Sequence, residues 1–119
     1  VTTAAPAPSS RALPHPAREE IRLEGVLHAL SDPVRLRIVR ELAAEDVELT
    51  CSQFDLPVTK STTTHHFRVL RESGVIRQTY EGTAKMNGLR RSDLDDLFPG
   101  LLGCLLTAAA HQSLRQGTG

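Results

Sequence analysis

The stretch STTTHHFRVLRESGV, residues 61–75, decides how the rest of the chain is read. It has neither Gly nor Pro before Gly74, so it reads as a helix. Yet its first turns hold three consecutive threonines and two histidines, which are middling helix formers. On a wheel turning about 100° per residue, Thr62, Thr63, His66, Phe67, Val69 and Leu70 fall on one half. Lys60, Ser61, Thr64, His65, Arg68, Arg71 and Glu72 fall on the other. The second half carries the stripe Ser61, Thr64, His65, Arg68, spaced i, i+3, i+4, i+7. Short hydroxyls let a backbone approach closely and can donate or accept at a base edge or phosphate. A helix N-terminus also attracts phosphate. That face suits a DNA major groove. The competing interpretation of the stripe alone is an ordinary solvated face.

The surrounding residues favour the groove. Thr59 is the natural N-cap and Gly74 the C-terminal stop. Upstream, LTCSQFDL (49–56) reads as a short helix ended by Pro57, so the two helices make a helix-turn-helix. Downstream, VIRQTYEGTAKMNGLR has two β-prone runs around Glu81-Gly82, a hairpin signal. That hairpin is a candidate wing, with Arg77 and Lys85 for phosphates. Between Thr59 and Arg91 there are seven Lys or Arg against two Glu, although the 119-residue chain has no net charge. A local basic bias is the electrostatic footprint expected of a phosphate partner.

Elsewhere, residues 18–30 read as a helix with Ile21, Leu23, Val26, Leu27 and Leu30 apolar. A second helix opens at Pro33, where Ser31 or Asp32 can cap, and buries Val34, Ile38, Val39 and Leu42. Ser92 with Asp95 looks like a capping box. LLGCLLTAAAHQSL reads as a last helix that is apolar over more than one face. The fold class is mainly α with a small β-hairpin: a winged helix-turn-helix, in the order helix, helix, helix, helix, hairpin, helix. Residues 1–17, with four prolines among Ala and Ser, read as a disordered arm. Residues 18–115 form the DNA-binding and dimerisation domain. A last helix apolar on several sides needs a partner. Ile21, Leu23, Val26 and Leu27, with Leu101, Leu102, Leu105, Leu106 and Ala109, are therefore the expected dimer interface.

ALSDPVRLRIVREL, the segment ending HHFRVLRESGVI and the YEGT wing tip together resemble the ArsR/SmtB family of bacterial winged-helix repressors. The family pattern is roughly ALADPTRLRILRLL, then SQPTVSHHLKVLREAGLV, then a REGR-like tip. The match spans about Leu27 to Leu89. It implies a homodimer built on the first and last helices and two recognition helices in successive major grooves of an imperfect palindrome. It also implies repression of transcription relieved by an inducer. Thr59, Lys60, Ser61, Thr64 and His65 sit where the family contacts DNA; Arg68, Arg71, Arg77 and Lys85 are added as phosphate ligands. The tip lacks the family's flanking arginines. Thr50-Cys51-Ser52 stands where one branch has a Cys-x-Cys pair, and no metal pattern is evident in the last helix.

His15, His28, His65, His66, His111 and the two cysteines offer no strong ligand spacing, so no metal ligands are assigned and no cofactor is expected. A metal ion stays open without a complete ligand set. Cys104 reads as a small core residue, and a thiol switch between Cys51 and Cys104 stays open. Arg35 and His66 read as packed, hydrogen-bonded residues. No phosphate-cradling Gly loop or Ser-His-Asp set suggests an enzyme. The N-terminus lacks the charged and apolar regions of a signal peptide, and no apolar run approaches spanning length, so a cytoplasmic protein is expected. The other readings are a winged-helix protein-interaction module and a metal- or thiol-responsive sensor repressor.

Overall fold

Asp32 explains where the second helix begins. Its Oδ2 accepts from the backbone N–H groups of Val34 (2.9 Å) and Arg35 (3.1 Å), beside Pro33, whose missing N–H costs nothing in a first turn. A computed structural model describes residues 10–45 and 47–117. The chain runs through β1 (Ser10–Ala12), a 3₁₀ turn (Arg18–Glu20), α1 (Leu23–Leu30) and α2 (Pro33–Glu45). Then come β2 (Leu49–Thr50), a second 3₁₀ turn (Cys51–Gln53) and α3 (Lys60–Glu72). The hairpin β3 (Ile76–Glu81) and β4 (Ala84–Leu89) precedes α4 (Arg91–Leu97) and α5 (Leu101–Gln116). The strands form one antiparallel sheet in the order β1-β3-β4-β2. This is a winged helix-turn-helix, as the sequence indicates.

The core lies where α1, α2 and α3 meet the sheet. Val26, Ala29, Ile38, Val39, Leu42, Phe67, Leu70, Val75 and Ile76 are all buried there, and Leu94 and Leu102 close it from α4 and α5. Phe54 and Phe67 meet edge-to-face with centroids 5.3 Å apart, which seats the segment before α3 against α3 itself. The wing turns through Gly82 and Thr83, between the paired residues Glu81 and Ala84. Gly82 at φ 66° supplies the positive φ that a two-residue hairpin loop needs at its first position.

Several local expectations change. The helix over 18–30 is broken: Ile21 is extended (φ −73°, ψ 125°) and buried. Its side chain is drawn onto Gly74, at the end of α3. The helix over 49–56 is only a 3₁₀ turn, because Leu49 and Thr50 are taken into the sheet opposite Asn87 and Met86. Ser92 caps nothing. Arg90 precedes α4 and holds Asp93 Oδ2 through Nε (3.0 Å) and NH2 (2.9 Å). Residues 10–17 do not behave as part of a disordered arm. β1 pairs with the outer edge of β3, Gln78 N–H donates to His15 Nε2 (2.8 Å), and Arg90 NH1 donates to Pro16 O (3.0 Å). Residues 1–9 lie outside the described residues.

The expected dimer set splits. Ile21, Val26, Leu102 and Ala109 are buried within the chain's own fold, so they cannot form an outer surface. Leu23 and Leu27 are exposed at 43% each, and Leu101, Leu105 and Leu106 are half-buried. Cys104, expected in the core, is exposed. It lies on the side of α5 that turns away from the core, as Gly103 and Thr107 also do.

Gly74 supports the break between α1 and the first 3₁₀ turn. It sits at φ 87°, and a Cβ there would lie 2.5 Å from Ile21 Cγ1. Gly74→Ala combines left-handed strain with a steric clash. We expect a loss of stability of about 1–3 kcal/mol, read as a lower urea midpoint at unchanged slope. A wild-type midpoint would show that Ile21 and Gly74 are not packed this way.

Candidate nucleic-acid interface

The threonines at the head of α3 are used twice. Thr59 caps the helix: its Oγ1 accepts from Thr62 N–H (3.3 Å) and donates to Thr62 Oγ1 (2.9 Å). Thr63 Oγ1 donates back to Thr59 O (2.9 Å) and Thr64 Oγ1 to Lys60 O (3.1 Å). A hydroxyl that spends its proton on the preceding turn keeps its lone pairs for an outside donor. Thr59, Lys60, Ser61, Thr64, His65 and Arg68 are all exposed, so the expected outward stripe is brought together on one face. Thr62, on the half of the wheel that carries Phe67 and Leu70, is also exposed, bonded to Thr59 at the helix mouth.

The opposite face is anchored. His66, Phe67 and Leu70 are buried, and the anchor is polar as well as apolar. Arg35 from α2 is 8% exposed. Its Nε donates to Ala29 O (2.7 Å), its NH2 to His28 O (3.4 Å), and its NH1 meets His66 Nδ1 at 3.1 Å. A guanidinium only donates, so His66 Nδ1 is the acceptor and its ring is neutral, with the proton on Nε2. Burial lowers the His66 pKa, and Arg35 and His65 reinforce this against the opposing pull of Asp32. The Asp32 carboxylate lies 3.9 Å from Nδ1, but with the ring neutral this is no ion pair.

Charge at this face is more selective than the sequence count implies. Of the seven basic side chains from Thr59 to Arg91, Arg90 is committed to Asp93 and Pro16 O, and Arg91 pairs with Asp95 at 3.8 Å. Arg71, expected to meet phosphate, is half-buried and donates through NH1 to Gln78 Oε1 (2.8 Å). Lys60, Arg68, Arg77 and Lys85 remain, with no carboxylate within 4.0 Å among the described residues. Arg77 is exposed on the wing, and Lys85 Nζ lies 5.6 Å above the Tyr80 ring of its cross-strand partner.

Sequence reading missed Gln78 and Asn87, which are 1% and 0% exposed and pair across the wing. The signal was present: Gln78 shares the inward phase of β3 with Ile76. Cys51 and Cys104 are both free thiols. Among the described residues no group of three His, Cys, Asp or Glu side chains converges as a metal site would need. No single helix among them is long and apolar enough to cross a membrane.

Comparison with known proteins agrees with this geometry. The family described as helix-turn-helix domain matches residues 30–79. The uncharacterized HTH-type transcriptional regulator YceK of Bacillus subtilis is 33% identical over 89 residues, which cover 73% of this chain and 88% of that protein. The crystal structure of an ArsR family transcriptional regulator superposes with a TM-score of 0.56 at 23% identity, over 79% of this chain and 96% of that one. This last likeness concerns the fold.

The anchor behind the recognition face is sensitive to pH. His66 titrates below its ordinary 6.5 when folded, so the unfolded chain binds the proton more readily. Stability is therefore full above about pH 6.5 and falls as pH drops toward the folded pKa. His15 is lowered as well, by burial and by Arg90, and contributes with the same sign. Urea unfolding from pH 7.5 to 5.5 is expected to show this fall, and His66→Gln to show a smaller one. An undiminished fall in that variant would assign the effect elsewhere.

Proposed function

We infer the function from one premise: the chain belongs to the helix-turn-helix transcription regulators, and its fold is the winged helix of the ArsR type. DNA binding follows from that membership, and its relatives are regulators rather than enzymes. We propose that it acts in the cytoplasm as a homodimeric repressor. Each protomer lays α3 into a major groove, and the two half-sites of an imperfect palindrome lie about one helical turn apart.

The observation that supports this most is the exposed row Ser61, Thr64, His65 and Arg68 on a helix whose other side is locked by Arg35 and His66. Thr64, as an acceptor, suits the amino group of adenine or cytosine in the major groove. His65 and Ser61 flank it for base edges. Lys60, Arg68, Arg77 and Lys85 contribute the phosphate contacts that fix register without reading sequence.

Dimerisation uses what the fold leaves outside. Leu23 and Leu27 on α1 are exposed and Leu101, Leu105 and Leu106 on α5 are only partly covered by the core, so a second copy would cover them. A signal acting on α1 and α5 would change the spacing of the two recognition helices. The half-sites are fixed on the duplex, so a small rotation weakens both at once.

The test uses a duplex selected by the wild-type protein from a random-sequence pool. Thr64→Ala with His65→Ala is expected to lose about 10–100-fold in affinity for that duplex, while the circular dichroism and dimer mass stay unchanged. Specific affinity that survives the double change would refute the base-reading role. Four cations per protomer without a carboxylate partner limit the slope of log affinity against log salt to roughly −7 for a dimer. Binding indifferent to salt would instead favour a winged-helix module that recognises protein.

A further inference from the structure

On the reading above, the recognition helix and the wing meet DNA as one surface, and the segment Leu49–Gln53 precedes that helix. A continuous hydrogen-bond chain, buried at Gln78 and Asn87, joins them. Arg71 NH1, in the last turn of α3, donates to Gln78 Oε1 on β3 (2.8 Å). Gln78 Nε2 donates to Asn87 Oδ1 on β4 (2.7 Å). Asn87 Nδ2 donates to Leu49 O on β2 (3.1 Å), immediately before the Cys51–Gln53 turn. The main chain of Gln78 is held too: its O accepts from Leu13 N–H (3.1 Å) and its N–H donates to His15 Nε2 (2.8 Å). Both polar groups of its backbone and both of its side chain are therefore engaged.

The choice of residues calls for an explanation. Gln78 and Asn87 occupy fully buried inward positions beside Ile76, where apolar side chains are the commoner choice. Replacing a buried, mutually satisfied polar pair by apolar groups of similar shape is often neutral or stabilising. Apolar burial is non-directional, however, whereas hydrogen bonds fix orientation. The chain is therefore suited to setting an angle. The angle it sets is that of the wing against α3. The wing carries Arg77 next to Gln78, and Lys85 two residues before Asn87.

We propose that Arg71, Gln78 and Asn87 are positioning residues for DNA binding: their hydrogen-bond chain fixes the wing so that Arg77 and Lys85 reach phosphate while α3 lies in the groove. This rests on the DNA-binding reading above. It gives Arg71 an indirect role in place of a phosphate contact.

The test measures binding of the full chain to the selected duplex by fluorescence anisotropy over a salt series. Gln78→Met is expected to weaken binding about tenfold and to flatten the salt dependence. In wild type, Arg77→Ala with Lys85→Ala should cost a similar factor; in the Gln78→Met background it should add less than about twofold. Arg71→Met combined with Gln78→Met should be no weaker than either alone. Gln78→Glu keeps an acceptor for Arg71 but removes the donor to Asn87 Oδ1, so it also cuts the chain and should weaken binding as Gln78→Met does. If Gln78→Met does not fold, Asn87→Leu cuts the same chain and carries the same expectation.

Wild-type affinity and salt slope in a folded Gln78→Met or Asn87→Leu variant would overturn the proposal. So would a further loss when Arg71→Met is added, since that would mark a direct phosphate contact. So would a folded Gln78→Glu variant with wild-type affinity. If the wild-type protein selects no duplex from the pool, the DNA-binding reading itself fails, and with it this proposal.

Discussion

The guanidinium of Arg35 is the point at which α1, α2 and α3 are tied together. It is carried by α2, accepts nothing, and spends its donors on two carbonyls at the end of α1 and on the imidazole of His66 in α3. Helix C-termini leave carbonyls without intrahelical partners, and Arg35 Nε satisfies that of the buried Ala29, which would otherwise be costly to bury. A hydrogen bond to a charged group contributes about 1.5–3 kcal/mol, more than a typical neutral one. The placement also has a directional consequence. By fixing His66 on the inner face of α3, it fixes which residues of that helix face outward, since Ser61, Thr64, His65 and Arg68 are set by the same helical phase.

Electrostatics then separates structural from available charge. Counting side chains suggests that the whole stretch from Thr59 to Arg91 is a basic surface. The fold engages the half-buried Arg71 with Gln78, buries Arg90 against Asp93 and pairs Arg91 on the helix that follows. What remains is spatially ordered: Lys60 and Arg68 on α3, Arg77 and Lys85 on the wing. Lys85 rests against Tyr80, which restricts a long side chain that would otherwise lose entropy on meeting a phosphate.

The N-terminal segment adds to this frame. β1 covers the outer edge of the wing, which would otherwise present unpaired backbone groups. Where the strand ends, the neutral imidazole of His15 takes the place of a carbonyl and accepts the next N–H of β3. Arg90 fastens the following residues by holding Pro16 O. Residues 10–16 meet an edge created elsewhere in the chain, which their proline-containing composition gave no reason to expect.

What the sequence determined by itself is local. The cap at Thr59, the stop at Gly74, the proline opening of α2, the hairpin around Gly82 and the outward stripe of α3 follow from backbone preferences and helical phase, which act over a few residues. The resemblance to the ArsR/SmtB pattern rests on the same segments. Only the tertiary structure decided the rest. Ile21 breaks the first helix because Gly74, far along the chain, offers it a seat. Leu49 and Thr50 leave a helical pattern because β4 offers hydrogen bonds. Arg71 turns from solvent to Gln78, and Val26 and Leu102 from a presumed interface into the core. In each case the partner is distant in sequence, and burial and hydrogen bonding to it outweigh the sub-kilocalorie preferences that a local reading measures.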